Sequence, residues 1–250
     1  PLDGSYALKN DIDASLTATW NSGKGFKPIG TPEAPFTGEF DGRGFAVKGL
    51  TVKRPDENGV GLFGAASDGT LENLRLTMAA IQGTNQVGAL AGGVYGYGLV
   101  RNCSAGGNVS GQDDVGGLIG SLSGRVEKSY ALCSVAGHVN VGGLSGRVQG
   151  GFVSACFANG AVAGNMQVGG LVGYLIPVPR YYSDGCVSEP DWSSAEGGQA
   201  VACTASGRVE GIIDVGGLVG FNDRGTVKAC YSMADVTGVG AVGGLVGSNP

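Results

Sequence analysis

The sequence predicts an all-β chain wound as a parallel β-helix, or β-solenoid, of about 27 residues per coil. Three observations carry that expectation. A short motif recurs along the chain: GLFG at Gly61, GALAG at Gly88, GGLIG at Gly116, GGLSG at Gly142, and GGLVG at Gly169, Gly216 and Gly243. Its leucines, Leu62, Leu90, Leu118, Leu144, Leu171, Leu218 and Leu245, are spaced 28, 28, 26, 27, 47 and 27 residues apart. The segments between them read as short β-branched strands broken by Gly, Asn, Asp and Ser every six to nine residues, and no helical stripe survives for two turns.

The repeat dictates the architecture. Equivalent residues one period apart can stack only if each repeat is one coil of a solenoid. Strands of successive coils then lie ~4.8 Å apart, and each column of like side chains becomes a ladder. Leucine on leucine fills the interior. The flanking glycines are expected at tight corners and close backbone approaches, where φ > 0 would strain other residues. Propeller blades are usually ~40–50 residues long, so this period is too short for them.

Each region is then assigned in order. Residues 1–58 lack the motif, but Phe45, Val47, Leu50 and Val52 alternate as in a strand. They are expected to form irregular first coils continuous with the solenoid, with Trp20 on an excursion. Residues 59–250 form the repeat proper, with a loop insertion at about 177–199. The chain stops at Ser248-Asn249-Pro250 just after a motif, and further repeats or another domain are expected beyond it. Pro1 begins no recognisable signal peptide, so the chain reads as an excised or mature fragment.

Composition excludes several classes. Glycine makes up 50 of 250 residues, or 20%, against a usual ~7%, without the every-third-residue period of collagen. Hydrophobic residues at 42% supply a core and argue against disorder. A net charge of -5 argues against nucleic acid, and no apolar run is long enough for a membrane helix.

Candidate chemistry is sparse. His138 sits beside a turn with no nucleophile or metal-ligand spacing around it, and reads as an exposed turn residue. Asp113 and Asp114 with Glu127, and Glu210 with Asp214, are the candidate carboxylate pairs for glycosidic cleavage. The position of Asp113 and Asp114 is matched by Asn140, Asn165 and Asp214, which points to turn chemistry instead. Of six cysteines, Cys103, Cys156 and Cys230 share an inward column, and Cys203 fits it after a one-residue shift; free buried thiols are expected there. Cys186, in the insertion, is the one expected to be bonded, to Cys203. The insertion also gathers Tyr181, Tyr182, Asp184, Asp191 and Trp192. Aromatic faces flanked by carboxylates suit sugar recognition, and a lid over the core is the alternative role. No catalytic residue, cofactor or metal is expected.

The coils Val115–Gly120, Val168–Gly173 and Val242–Gly247, with Cys-Tyr-Ser at Cys230 and Cys-Phe-Ala at Cys156, resemble the GLUG repeat, named for its Gly-Leu-any-Gly core. Ala89, in place of a glycine, and the insertion after Tyr174 depart from it. The N-terminal stretch resembles the region preceding such repeats in large secreted bacterial proteins. These include filamentous-haemagglutinin-like adhesins and some immunoglobulin A peptidases, where the repeats lie outside the catalytic domain. The resemblance implies a non-catalytic rod of a secreted or cell-surface adhesin, with a host or matrix glycan or protein, and further domains of the parent chain, as partners. A polysaccharide-acting β-helix enzyme and a passive spacer beside a protease domain are the alternatives; ice binding ranks last, because threonine is absent from the repeating columns.

Overall fold

The computed structural model describes residues 1–180, 191–196 and 198–250, with the side chains of 178–180 and 191–196 excepted. The coils build four parallel sheets, here numbered I to IV in chain order, a regular coil contributing one strand to each. One coil illustrates the plan: Leu99–Arg101 in sheet I, Ser104–Ser110 in sheet II, Asp113–Gly116 in sheet III and Ile119–Leu122 in sheet IV. Among the described residues sheet I has eight strands, sheet II ten, sheet III six and sheet IV seven. Register is maintained from coil to coil: Val87, Val115, Val141, Val168, Val215 and Val242 are successive partners on sheet III.

The N-terminal residues join the same stack. Ser5–Ala7 pairs with Glu39–Asp41, which pairs with Thr70–Glu72. Ile12–Asp13 pairs with Ala46–Lys48 in sheet II. Between them, 3-10 turns at Ser15–Thr19 and Asn21–Gly23 leave the ladder. They bury Ala14 and Thr17 over the first coils, while Trp20, tilted against Phe26, stays half exposed.

The interior is a set of side-chain ladders. Leu90, Leu118, Leu144, Leu171 and Leu218 are fully buried and Leu62 nearly so; Leu245, on the last coil, is 39% exposed. Burying one such side chain contributes about 1.5–3 kcal/mol. The sheet I column Leu71, Val100, Val126, Val153, Ala200 and Val227 faces it. Ala200 here corrects the sequence frame. Cys203 lies three residues on from Ala200, as Cys156 does from Val153, so it joins the ladder with no shift; the alanine had hidden the match.

The motif glycines are required for a reason other than φ. None of Gly116, Gly117, Gly120 and their equivalents has a positive φ. What they permit is backbone lying on backbone. An added Cβ at Gly143 would land on the Gly170 carbonyl oxygen, and one at Gly146 on the Asp114 carbonyl carbon. The N–H groups of Gly117, Gly143, Gly170 and Gly217 each donate to the glycine carbonyl one coil on, at 3.0–3.2 Å. Ala89 occupies this position in an earlier coil, and among the described residues its N–H makes no equivalent bond. The left-handed corners go instead to Gln86, Asp114, Asn140, Gln167, Asp214 and Ala241, with φ of 49–57°. Asn and Asp tolerate this region best among side-chain-bearing residues. Gln167, not Asn165, is therefore the corner residue of its coil, and Asn165 lies two residues earlier.

Five cysteines, Cys103, Cys133, Cys156, Cys203 and Cys230, are free thiols. The expected partner of Cys203, Cys186, lies outside the described residues. Cys133 is buried on sheet II, its thiol donating to the Gly117 carbonyl at 3.3 Å. Burial pushes the Cys103 and Cys133 thiols up to about 12. Cys203, hydrogen-bonded to its ladder neighbour Cys156 and buried, is pushed up to about 11.

Two outcomes follow from this core. Gly143→Ala destabilises the chain by about 1–3 kcal/mol in denaturant melts, through overpacking and loss of the bond to Gly169. Gly244→Ala, at the same motif position on the last coil with nothing near its Cβ direction, stays within about 0.5 kcal/mol of the parent. The thiols also set a pH dependence. An unfolded cysteine ionises near ~8.5, so between there and the folded values the native state holds protons that the unfolded state has lost. Their contribution to stability is complete below pH ~8.5 and declines as pH rises towards ~11–12. Urea midpoints from pH 7 to 10 should fall less steeply in a Cys103→Ala/Cys133→Ala variant than in the parent; identical slopes would contradict the assignment.

Candidate functional site

The solenoid distributes the sequence-nominated acids over different faces. Glu127 lies on sheet I, where Arg125 holds it at 2.8 Å, far from the sheet III corner that carries Asp113 and Asp114. Glu210 pairs with Arg208, and Asp214 accepts from the Ser248 hydroxyl. On sheet I, Arg101 and Glu72 pair at 2.6 Å across adjacent coils. Asp41, Asn73 and Asn102 form an amide ladder with bonds of 3.0 and 2.8 Å. Glu127 and Glu210 are thus paired within their own strands, Glu72, Asp41 and Asp214 with neighbouring coils, and the nominated acids are placed on different sheets rather than facing one another. His138 is half exposed, with its Nδ1 4.0 Å from Asp113 Oδ1.

The insertion residues Tyr181, Tyr182 and Asp184 lie outside the described residues. Asp191 and Trp192 begin the strand Asp191–Glu196, which pairs antiparallel with Val178–Arg180. This two-stranded ribbon stands apart from the four parallel sheets.

A lateral cleft that sequence reading missed lies where sheets III and IV meet. Its volume is about 400 Å³, and it is lined by Asn58, Asn85, Gln86, Asp113, Asp114, Val139, Asn140 and Arg147. Two columns of the repeat border it. Along the outer column of sheet III, Asn85 and Asp113 are polar, whereas the following coils carry Val139, Met166 and Ile213. On the adjoining column of sheet IV, small Gly93 and Ser121 precede bulky Arg147 and Tyr174. The Tyr95 ring lies over Gly93, and Ser121 is buried.

The cleft is electrostatically unfinished. Asn140 Nδ2 donates to Asp114 Oδ1 at 2.7 Å, while Asn140 Oδ1 is buried without a partner. Arg147 places its guanidinium 5.9 Å from the Tyr174 ring centre, and its Nε is likewise buried and unpartnered. Burial raises the Asp114 carboxyl above the usual carboxylate range, against the opposing effects of Asn140 and Arg147. Burial also raises the Tyr95 phenol, whose hydroxyl hydrogen-bonds Gln86 Oε1 at 3.1 Å. Among the described residues, no group of three or more His, Cys, Asp or Glu is placed to hold a metal ion.

Comparison with known proteins places this geometry. Residues 83–110 match the family described as the GLUG motif. The chain is 42% identical over 125 residues to Halomucin of Haloquadratum walsbyi, which takes in 48% of this chain and 1% of that protein. It is 28% identical over 163 residues to the immunoglobulin A1 protease of Streptococcus sanguinis, which takes in 60% of this chain and 8% of that protein. The chain thus spans a small fraction of either relative. The crystal structure of "a putative immunoglobulin A1 protease from Bacteroides ovatus" superposes with a TM-score of 0.65 over 97% of this chain and 78% of that one, at 20% identity, a likeness of fold. Six copies of the Gly-Leu-any-Gly core and one Ala-Leu-Ala-Gly variant, each closing one coil, agree with the GLUG match at residues 83–110 and make this stretch a set of GLUG-type repeats folded as a parallel β-solenoid.

Proposed function

We propose that the chain is a non-catalytic, rod-like segment of a secreted or cell-surface bacterial protein that mediates attachment to host, matrix or glycan. The observation that carries this reading is the coil-to-coil register, held in step along sheets I, III and IV and shifted in sheet II between Ala105 and Gly107. Seven ladder steps in sheet I, at ~4.8 Å each, give an axis of roughly 34 Å, all of it held by parallel hydrogen bonding and stacked apolar columns. Such a body resists bending and presents long lateral faces. Glu127 and Glu210 are paired with arginines on their own strands, and Asp114 and Asp214 bond to neighbouring coils, which speaks for a scaffold rather than for a hydrolase. Similarity to parts of very long proteins, Halomucin among them, fits a segment that extends or displays.

A passive spacer is the second reading, favoured by the match to 8% of an immunoglobulin A1 protease. Attachment separates the two. Beads coated with the purified chain should adhere to immobilised glycans, matrix proteins or cell monolayers well above beads coated with an unrelated protein of equal charge. Background adhesion on every surface would contradict the attachment role and leave the spacer. Release of new reducing ends from polysaccharides would contradict the non-catalytic role.

A further inference from the structure

We propose that the cleft between sheets III and IV is a carbohydrate-binding site that takes one or two sugar residues of a glycan, held by Asn85, Asp113, Asp114, Asn140 and Arg147. This rests on the attachment reading above and gives it a location distinct from the insertion.

The argument begins with local departure from the repeat. A solenoid needs only its inward columns to be apolar; an outward column is free to vary. Polar residues occupy the outer column of sheet III on the coils of Gly93 and Ser121, where the Tyr95 ring packs over Gly93, and apolar residues take over on the coils of Arg147 and Tyr174. The resulting volume, about 400 Å³, falls within the ~300–1,000 Å³ range of small-ligand sites.

The lining then selects the ligand class. The unpartnered Asn140 Oδ1 is an acceptor and the unpartnered Arg147 Nε is a donor. Asp114 is an acceptor engaged at only one oxygen among the described residues. An anionic ligand would meet two carboxylates, Asp113 and Asp114. A bare cation would meet the Arg147 guanidinium. A neutral polyhydroxyl ring satisfies both sets, because each hydroxyl donates to a carboxylate or amide oxygen while accepting from a guanidinium or amide N–H. Buried polar groups without partners are rare in native proteins; of the three such atoms among the described residues, Asn140 Oδ1 and Arg147 Nε belong to side chains that line this cleft. The carbonyl-lined corner beneath, with φ near 55° at Asp114 and Asn140, fixes both side chains on rigid backbone, so little ordering is needed when a ligand enters.

The test uses the purified chain on a printed array of neutral and acidic oligosaccharides, followed by calorimetric titration of the one that responds most strongly. Arg147→Met keeps the side-chain stem against Tyr174 and removes the donors; Asp113→Ala removes an exposed acceptor. Each should weaken binding by about tenfold or more, the scale of a lost hydrogen bond to a charged group. Arg101→Met, on sheet I, should leave binding unchanged. Melting curves verify the fold of each variant. Should Arg147→Met not fold, Asp114→Asn, which preserves shape and corner preference, takes its place. Binding that survives both cleft variants would overturn this site while leaving attachment through another face intact. An array with no response would overturn the carbohydrate assignment outright, whatever the coated beads show. Loss of binding in the Arg101→Met control as well would also overturn it, because the effect would then not be local to the cleft.

Discussion

Backbone-on-backbone contact at the junction of sheets III and IV is the constraint on which the rest of this structure depends. There the chain reverses within the Gly-Leu-any-Gly core, and its carbonyls and N–H groups lie against those of the neighbouring coil with no room for a side chain. That proximity holds one coil in register with the next, points each leucine inward and lets the next leucine settle on it. Ala89 stands in this row with a Cβ, and among the described residues neither it nor Gly61 in the coil before makes the coil-to-coil bond of the later glycines. The motif is thus a steric specification for close approach, while conformational freedom at the corners is supplied by Asn, Asp and Gln.

Once register is secured by the interior and by this junction, the exterior is released from structural duty. Outward columns can carry charge ladders, as Arg101 and Glu72 do on sheet I, or change from polar to apolar along a cleft, as Asn85 and Asp113 give way to Val139, Met166 and Ile213 on sheet III. The last coil shows the same rule from the other side. Leu245 has the sequence of its equivalents but not their burial, because nothing stacks upon it. Burial here belongs to the stack rather than to the residue, as expected of a quasi-one-dimensional fold.

Much of the fold was legible in the sequence, because its signals are periodic. The leucine column, the valine column three residues before it and the length of the coil all repeat, and each names an inward position. What repeats with a substitution was harder to see. Ala200 stands where its neighbours have valine, and this concealed the true frame of Cys203. Cys133 belongs to an inward column occupied by other residue types elsewhere, so no comparison between coils singled it out. The glycines were expected both at tight corners and at close backbone approaches; the close approach is what the coils show, while the positive φ falls on Gln86, Asp114 and their equivalents instead. The cleft was less legible still. Its residues come from four coils and two sheets, and they come together only once the coils are stacked. His138 and the scattered acids drew attention by residue type alone, and the stacking separates them.

The central claim is in-register stacking of one coil per repeat, and it is best tested by a distance along a single column. Glu39 and Thr226 occupy the same outward column of sheet I, six ladder steps apart. With spin labels on unnatural, cysteine-independent side chains at these two positions, pulsed electron resonance should give one narrow distribution centred near ~29 Å, six times the ~4.8 Å ladder spacing. A broad distribution, or a centre beyond ~40 Å, would contradict a continuous solenoid.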